Sequence, residues 1–150
     1  MGRGPITFKS SAAAAGDFDK PWLIRSGGEQ ALCAIPAEFS GSAGGFSPED
    51  LYLQSLMNCF LGTFKVFAKT SRISFTGLNV EGDLVVDQDE TKKTIMKSCH
   101  LNIEIQGADR PDRLETVVAK VFKDGFILNS VKTQITYGLT IDGKNCEKLV

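Results

Sequence analysis

The longest helical pattern in the sequence begins at Ser47 and is predicted to run to about Arg72. Ser47 is a favourable N-cap residue, and Pro48 suits the first helical position because an N–H would have no partner there. Glu49 and Asp50 put negative charge near the positive end of the helix dipole. The sequence therefore predicts a long helix with a defined N-terminus.

Apolar residues occupy most sides of this predicted helix. They are Leu51, Tyr52, Leu53, Leu56, Met57, Cys59, Phe60, Leu61 and Phe64. A helix that is apolar nearly all round is normally covered by other elements. We therefore expect it to be a core element or to lie in a subunit interface.

Alternation of apolar and polar positions predicts the strands. They cover residues 6–9, 22–26, 30–36, 78–87, 94–105 and 134–141. Gly27 and Gly28 separate the second strand from the third and predict a hairpin turn. The charged residues 87–93 predict an exposed turn between the two long strands.

A second helix is predicted to start near Pro111. Its apolar stripe follows the i, i+3, i+4, i+7, i+8 spacing: Leu114, Val117, Val118, Val121 and Phe122. Gly125 is expected to close this helix, and residues 126–131 to form a short helical segment. The order strands, helix, two strands, helix, strand predicts an α+β fold with helices packed against an antiparallel sheet.

The 150 residues are expected to form a single domain. Residues 1–46 would supply N-terminal strands and a Gly/Ser loop, and residues 47–150 the helices and the C-terminal sheet. The net charge of −1 gives no electrostatic basis for binding nucleic acid or an anionic membrane. We predict a cytoplasmic location, since no secretory signal and no apolar run of about 20 residues occurs.

Cysteine and histidine content limits the candidate chemistry. Cys33, Cys59, Cys99 and Cys146 are widely spaced without a CxxC motif, so neither a disulfide framework nor a zinc site is predicted. With His100 as the single histidine, histidine-based metal sites and most catalytic triads are disfavoured. We expect no metal and no cofactor.

Cys59, in the apolar middle of the first helix, has two interpretations. Free cysteine is often a small buried hydrophobe, and packing alone would explain it. A reactive thiol is the alternative, but Ser47 lies ~18 Å away at ~1.5 Å per residue, too far for the helix N-terminus to lower the pKa of Cys59 much. A reactive thiolate here would need a cation from elsewhere.

The stretch SPEDLYLQSLMNCF, residues 47–60, resembles a helix opening in the OsmC/Ohr superfamily of osmotically inducible and organic-hydroperoxide-resistance proteins. That pattern has a Pro-Glu pair, followed ten residues after the Glu by the reactive cysteine. The stretch GFILNSVKTQI, residues 125–135, resembles the segment that enters the family's last strand. The resemblance spans most of the chain, and the predicted order of elements agrees with it.

The resemblance implies antiparallel sheets packed around long central helices in an intertwined homodimer. It also implies a peroxidatic cysteine that becomes a sulfenic acid, with which a second cysteine condenses. By position, Cys59 matches the peroxidatic cysteine, and Glu49 matches a carboxylate that orients an activating arginine. Because the two residues are ~15 Å apart along one helix, Glu49 is expected to meet the partner's Cys59 across a two-fold interface.

Two parts of the family pattern are not matched. Alignment on residues 126–130 puts Gly125 at the position of the resolving cysteine, so a sulfenic acid at Cys59 would lack a built-in partner. The possible substitutes are Cys33, Cys99 and Cys146. The second unmatched part is the activating arginine. No arginine of this sequence stands in a stretch that resembles the family's arginine segment. The arginines considered are Arg3, Arg25, Arg72, Arg110 and Arg113.

Arg25 is the candidate for the activating arginine because the family's arginine is found in the N-terminal strand region. An exposed strand position without a role is the alternative. The resulting functional hypothesis is thiol-dependent reduction of organic hydroperoxides in oxidative stress defence through Cys59, with an external thiol as reductant. The alternative is a non-catalytic OsmC-like protein that binds a small molecule or has a structural role, which Gly125 favours.

Overall fold

A computed structural model of the protein describes residues 4–146. Its elements are β1 (Ser10–Ala13), β2 (Trp22–Ser26), β3 (Glu29–Cys33), a 3₁₀ turn (Ala37–Phe39), α1 (Pro48–Thr70), β4 (Gly77–Gln88), β5 (Thr94–Gln106), α2 (Pro111–Asp124), β6 (Gln134–Ile141) and β7 (Lys144–Asn145). The described residues up to Tyr52 form one compact unit, and those from Leu53 onward form a second. The helix α1 belongs to both.

The N-terminal unit contains a three-stranded antiparallel sheet in the order β1-β2-β3. Gly27 and Gly28 have φ values of 57° and 84°, as the predicted hairpin turn requires, so that prediction is confirmed. The strand predicted at 6–9 is wrong, because the strand forms at Ser10–Ala13 instead. Ser10 pairs with Ser26, the last residue of β2, and the chain before Ser10 therefore has no β2 residue opposite it.

This N-terminal unit buries little apolar surface. Among its described residues, the buried hydrophobic side chains are Cys33 and Ala34. Phe8 and Phe18 are 91% and 94% exposed. A small sheet of this kind needs another apolar surface to be stable.

The start of α1 is held by reciprocal hydrogen bonds between Ser47 and Asp50. The Asp50 N–H donates to Ser47 Oγ, and the Ser47 N–H donates to Asp50 Oδ2, both at 2.9 Å. This arrangement is a capping box in which Asp takes the usual place of Glu or Gln. It confirms Ser47 as the N-cap.

Replacing Ser47 by Ala is expected to lower the free energy of unfolding by about 1 kcal/mol, since the N–H of Asp50 loses its acceptor. Urea unfolding monitored by circular dichroism measures the change. Ser42→Ala is the matched control, because the exposed Ser42 hydroxyl bonds only the adjacent carbonyl of Ala43. Equal stability of the two variants would contradict the capping role.

The end of α1 differs slightly from the predicted end at Arg72. The helix stops at Thr70, and Arg72 takes a left-handed conformation with φ 55°. The Arg72 N–H donates to Lys69 O at 3.1 Å, and the Ile73 N–H donates to Ala68 O at 2.9 Å. These two bonds form a Schellman motif, which satisfies carbonyls that the helix leaves free.

The C-terminal unit contains a four-stranded sheet in the order β4-β5-β6-β7. The long hairpin β4-β5 is antiparallel, whereas β5 and β6 are parallel. A parallel pair needs a long crossover, and α2 supplies it between β5 and β6. The predicted α+β class is confirmed, with a sheet that is mixed rather than wholly antiparallel.

The segment after α2 is a turn, so the helical segment predicted at 126–131 is wrong. The Asn129 N–H donates to Gly125 O, and the Ser130 N–H donates to Ile127 O, each at 2.9 Å. Lys132 and Thr133 then lead directly into β6. These two hydrogen bonds close single turns and do not continue along the segment, so no regular helix forms there.

The core of the C-terminal unit lies between the two helices and one face of the sheet. Its fully buried members include Leu56, Phe60 and Phe64 of α1, Leu114, Val118 and Val121 of α2, and Cys99, Leu101, Ile103 and Ile105 of β5. Within the chain α1 therefore buries one face, with a spacing of four residues. Val66, on another side of α1, is 61% exposed, so the single chain does not cover the helix on most sides.

Candidate thiol site

Cys59 lies in the middle of α1 and is half-buried. Its sulfur faces Gly125, the residue that directly follows α2. A Cβ atom built on Gly125 would lie 3.2 Å from Cys59 Sγ. The structure therefore brings Cys59 together with the residue that the alignment places at the position of the resolving cysteine.

The backbone of Gly125 does not itself require glycine. Its φ of −63° and ψ of 128° are open to any residue. The surroundings are tight, because an added Cβ would lie 2.9 Å from Val121 O and 3.1 Å from Leu128 Cδ1. A side chain at position 125 would therefore contact the sulfur of Cys59, and glycine supplies none.

Phe60, the residue after Cys59, belongs to an aromatic cluster. Phe60 stacks on Phe64 with ring centroids 5.8 Å apart and contacts Phe122 at 5.2 Å. Phe122 in turn stacks on Tyr137 at 4.2 Å. Phe60 and Phe64 are fully buried, so these two rings are core residues rather than an open pocket wall.

The other cysteines lie in different surroundings. Cys99 is 1% exposed, and its burial, with the nearby carboxylate of Asp83, raises the pKa of its thiol to about 11. It therefore stays protonated and unreactive at neutral pH. Cys33 is buried in the N-terminal unit, and Cys146 is half-buried at the end of the described chain.

Glu49 lies in the first turn of α1. Its Oε1 atom is buried and has no hydrogen-bond partner among residues 4–146. A buried carboxylate oxygen is costly unless a donor reaches it. This unpaired oxygen carries no signal in the sequence, and only the structure reveals it.

Arg25 lies on β2 and is exposed. Its Nε donates to Gln30 Oε1 at 3.4 Å across the hairpin. Within the described part of the N-terminal unit, no ion pair or hydrogen bond joins Arg25 to Glu49. The role assigned to Arg25 stays a prediction, and Arg3 lies outside the described residues.

Two further observations bear on the kind of site. Over residues 4–146, no grouping of three His, Cys, Asp or Glu side chains has the geometry to hold a metal ion. In the same range, neither helix is long and apolar enough to cross a membrane.

Comparison with known proteins identifies the family. The family model for OsmC-like proteins matches residues 41–140, which include α1, both long strands, α2 and nearly all of β6. The chain belongs to the OsmC-like family. No protein of curated function matches its sequence.

Solved OsmC-like structures share this fold. An OsmC-like protein of unknown function from Vibrio cholerae has a TM-score of 0.81 and 15% identity, covering 90% of this chain and 99% of that one. The organic hydroperoxide resistance protein OsmC of Legionella pneumophila has a TM-score of 0.70 and 20% identity, with coverages of 93% and 98%.

A third similar structure is the organic hydroperoxide resistance protein OhrB of Bacillus subtilis. It has a TM-score of 0.64 and 19% identity, covering 91% of this chain and 98% of that one. At such identities the likeness shows the fold alone. The chemistry of this OsmC-like protein has to be inferred from its own residues.

Proposed function

We propose that this OsmC-like protein reduces organic hydroperoxides by thiol chemistry at Cys59. The observation that carries the proposal is the position of the Cys59 sulfur, which is half-buried and faces a residue without a side chain. Two solved relatives of the same fold are named organic hydroperoxide resistance proteins, which supports this choice of substrate.

The proposed reaction begins with the Cys59 thiolate. It attacks one oxygen of the hydroperoxide, the O–O bond breaks, and the leaving alkoxide takes a proton to become an alcohol. Cys59 is then a sulfenic acid. One external thiol condenses with it and releases water, which leaves a mixed disulfide on Cys59. A second external thiol then attacks the sulfur of the first, so that Cys59 leaves as a thiolate and an external disulfide is formed.

Activation of Cys59 requires a cation. The carboxylate of Glu49 would hold that cation in place. Its buried, unpaired Oε1 would accept hydrogen bonds from a guanidinium, which binds carboxylates in a two-pronged geometry. We propose that the Glu49 carboxylate and this guanidinium together activate the partner's Cys59 in a homodimer. Arg25 is the candidate guanidinium.

Exposed apolar side chains support the homodimer. Phe8 and Phe18 of the N-terminal unit are almost fully exposed, and Val66 of α1 and Phe126 are 61% and 76% exposed. A partner subunit would bury these side chains if it packed against them. The proposal places the protein in the cytoplasm, where thiols are kept reduced and an external thiol is available.

Treatment of the protein with cumene hydroperoxide in the presence of dimedone tests the proposal. We expect a dimedone adduct on Cys59 by peptide mass spectrometry, and peroxide consumption that needs an added thiol. Cys59→Ser should lose both. Cys99 is the internal control and should stay unlabelled, because its thiol is protonated and buried. An unlabelled Cys59 with no peroxide consumption would rule out the proposed reaction.

The second candidate function is non-catalytic binding of a small molecule by an OsmC-like fold. Gly125 favours it, since the position that the alignment gives to the resolving cysteine has no thiol. The same experiment separates the two, because a binding protein would leave the peroxide unconsumed whether or not thiol is added.

A further inference from the structure

The sheet of the C-terminal unit has a polar face opposite its core. Strict alternation along β5 buries Cys99, Leu101 and Ile103, and turns His100 and Asn102 to the other side. A groove of about 400 Å³ lies on this outer face. Its volume is in the range of small-ligand sites.

Gly138 of β6 lies in this groove, opposite Asn102 of β5. Its φ is not positive, so the backbone does not need glycine. A Cβ atom here would lie 3.4 Å from Asn102 Oδ1 and 3.7 Å from His100 Nε2, which are ordinary contact distances. Neither conformation nor packing therefore explains the glycine.

Glycine inside a strand costs about 0.5–1 kcal/mol relative to a residue with a side chain. Such a glycine often marks a bulge, a tight bend, or a place where a ligand or another backbone approaches closely. The pairing of β5 with β6 runs through Gly138 without a register shift, so a bulge does not explain it. At Gly138 the effect of the missing side chain is to keep the groove open between His100 and Asn102.

The polar groups of the groove are suited to a positively charged ligand. The carboxylates of Glu81 and Glu104 line it together with the amides of Asn79 and Asn102. Gln106 Nε2 donates to Glu104 Oε1 at 2.6 Å, which orients that carboxylate. The described residues that line the groove include no Lys or Arg.

His100 is fixed within the groove. Its Nδ1 and Thr136 Oγ1 are 2.7 Å apart and share a hydrogen bond. That bond leaves Nε2 on the side of Gly138 as a further polar group. An amide, a ring nitrogen and two carboxylates thus surround one opening.

We propose that this groove binds a small organic cation that carries a primary amine. The ammonium would lie between Glu81 and Glu104, and its N–H groups would donate to a carboxylate and to Asn102 Oδ1. The carbon chain would lie over Gly138. This site is on the opposite face of the sheet from Cys99 and the core, and it does not depend on the chemistry of Cys59.

The experiment is an NMR titration of the full-length protein with 1,4-diaminobutane, and with 1,4-butanediol as the uncharged control of the same length. We expect the diamine to shift the backbone amide signals of Asn102, Gly138 and Thr140, and the diol to leave them unchanged. An equal response to both compounds, or to neither, would overturn the proposal.

Gly138→Val tests the groove itself, because valine fills the opening and suits a strand. It should retain the fold by circular dichroism and weaken diamine binding at least tenfold. Glu81→Gln and Glu104→Gln should each weaken it up to about fivefold, as expected for exposed ion pairs. Glu90→Gln removes the same charge from the hairpin turn and should have no effect. Unchanged affinity in folded Gly138→Val would show that the diamine binds elsewhere.

Discussion

Oxidised Gly125→Cys protein is expected to contain a disulfide between the introduced cysteine and Cys59. A Cβ atom at position 125 lies 3.2 Å from Cys59 Sγ. In a disulfide the corresponding distance is about 3 Å, given an S–S bond of about 2.05 Å. The new thiol would therefore stand where it can attack a sulfenic acid at Cys59, after a small local shift that relieves the 2.9 Å approach of its Cβ atom to Val121 O.

The measurement combines cumene hydroperoxide with dimedone. In the natural protein the expected product is the dimedone adduct of Cys59, whereas in Gly125→Cys it is a disulfide with almost no adduct, because the intramolecular reaction is faster. Peptide mapping without reductant identifies the linked peptides. Added dithiothreitol should return both thiols.

Gly125→Ser is the matched control, since serine has nearly the same size but no thiol. It should still give the dimedone adduct. If Gly125→Cys also gives only the adduct, the Cys59 sulfur does not face position 125 as described. If neither protein gives an adduct or a disulfide, peroxide does not oxidise Cys59, and the proposed function fails rather than the geometry.

Local rules were enough to predict most elements of the fold. Ser47 and Pro48 gave the start of α1 because capping depends on neighbouring residues alone. Alternation gave β4 and β5 to within one residue at each end. These patterns are strong because one face of each element is buried and the other is not.

Pairing between distant strands was harder to predict. Nothing within β6 shows that it lies parallel to β5, since a half-buried strand alternates in the same way in either direction. The strand β1 was misplaced for a similar reason. Its position depends on the register with β2, and the apolar residues Ile6 and Phe8 just before it are exposed.

The candidate site could be predicted only in part. The family resemblance gave Cys59 and Glu49 as candidates, and their roles stay predictions. The structure places Gly125 next to the Cys59 sulfur, as the family alignment implies. Motif and spacing do not single out an arginine near Cys59, because a guanidinium on a long side chain can reach a site from many positions. The groove around Gly138 was missed, since a strand glycine looks the same in sequence whether or not a cavity surrounds it.

Replacing Phe60 by Ala is expected to give the largest loss of stability among single substitutions in α1, about 3–5 kcal/mol. Phe60 is fully buried and packs between Phe64 and Phe122. Removing its ring leaves a cavity that Phe122 could fill only by giving up its stacking on Tyr137 of β6. Since small proteins are stable by about 5–15 kcal/mol, much of the total would be lost.

Urea unfolding of Phe60→Ala, Phe60→Leu and Lys65→Ala measures this effect. Leucine keeps part of the buried volume and should cost clearly less than alanine, while exposed Lys65 should change the free energy of unfolding by less than about 0.5 kcal/mol. The series should be run at several protein concentrations, because subunit association would add a concentration-dependent part to every value. A loss for Phe60→Ala no larger than that for Lys65→Ala would mean that α1 does not bury this face.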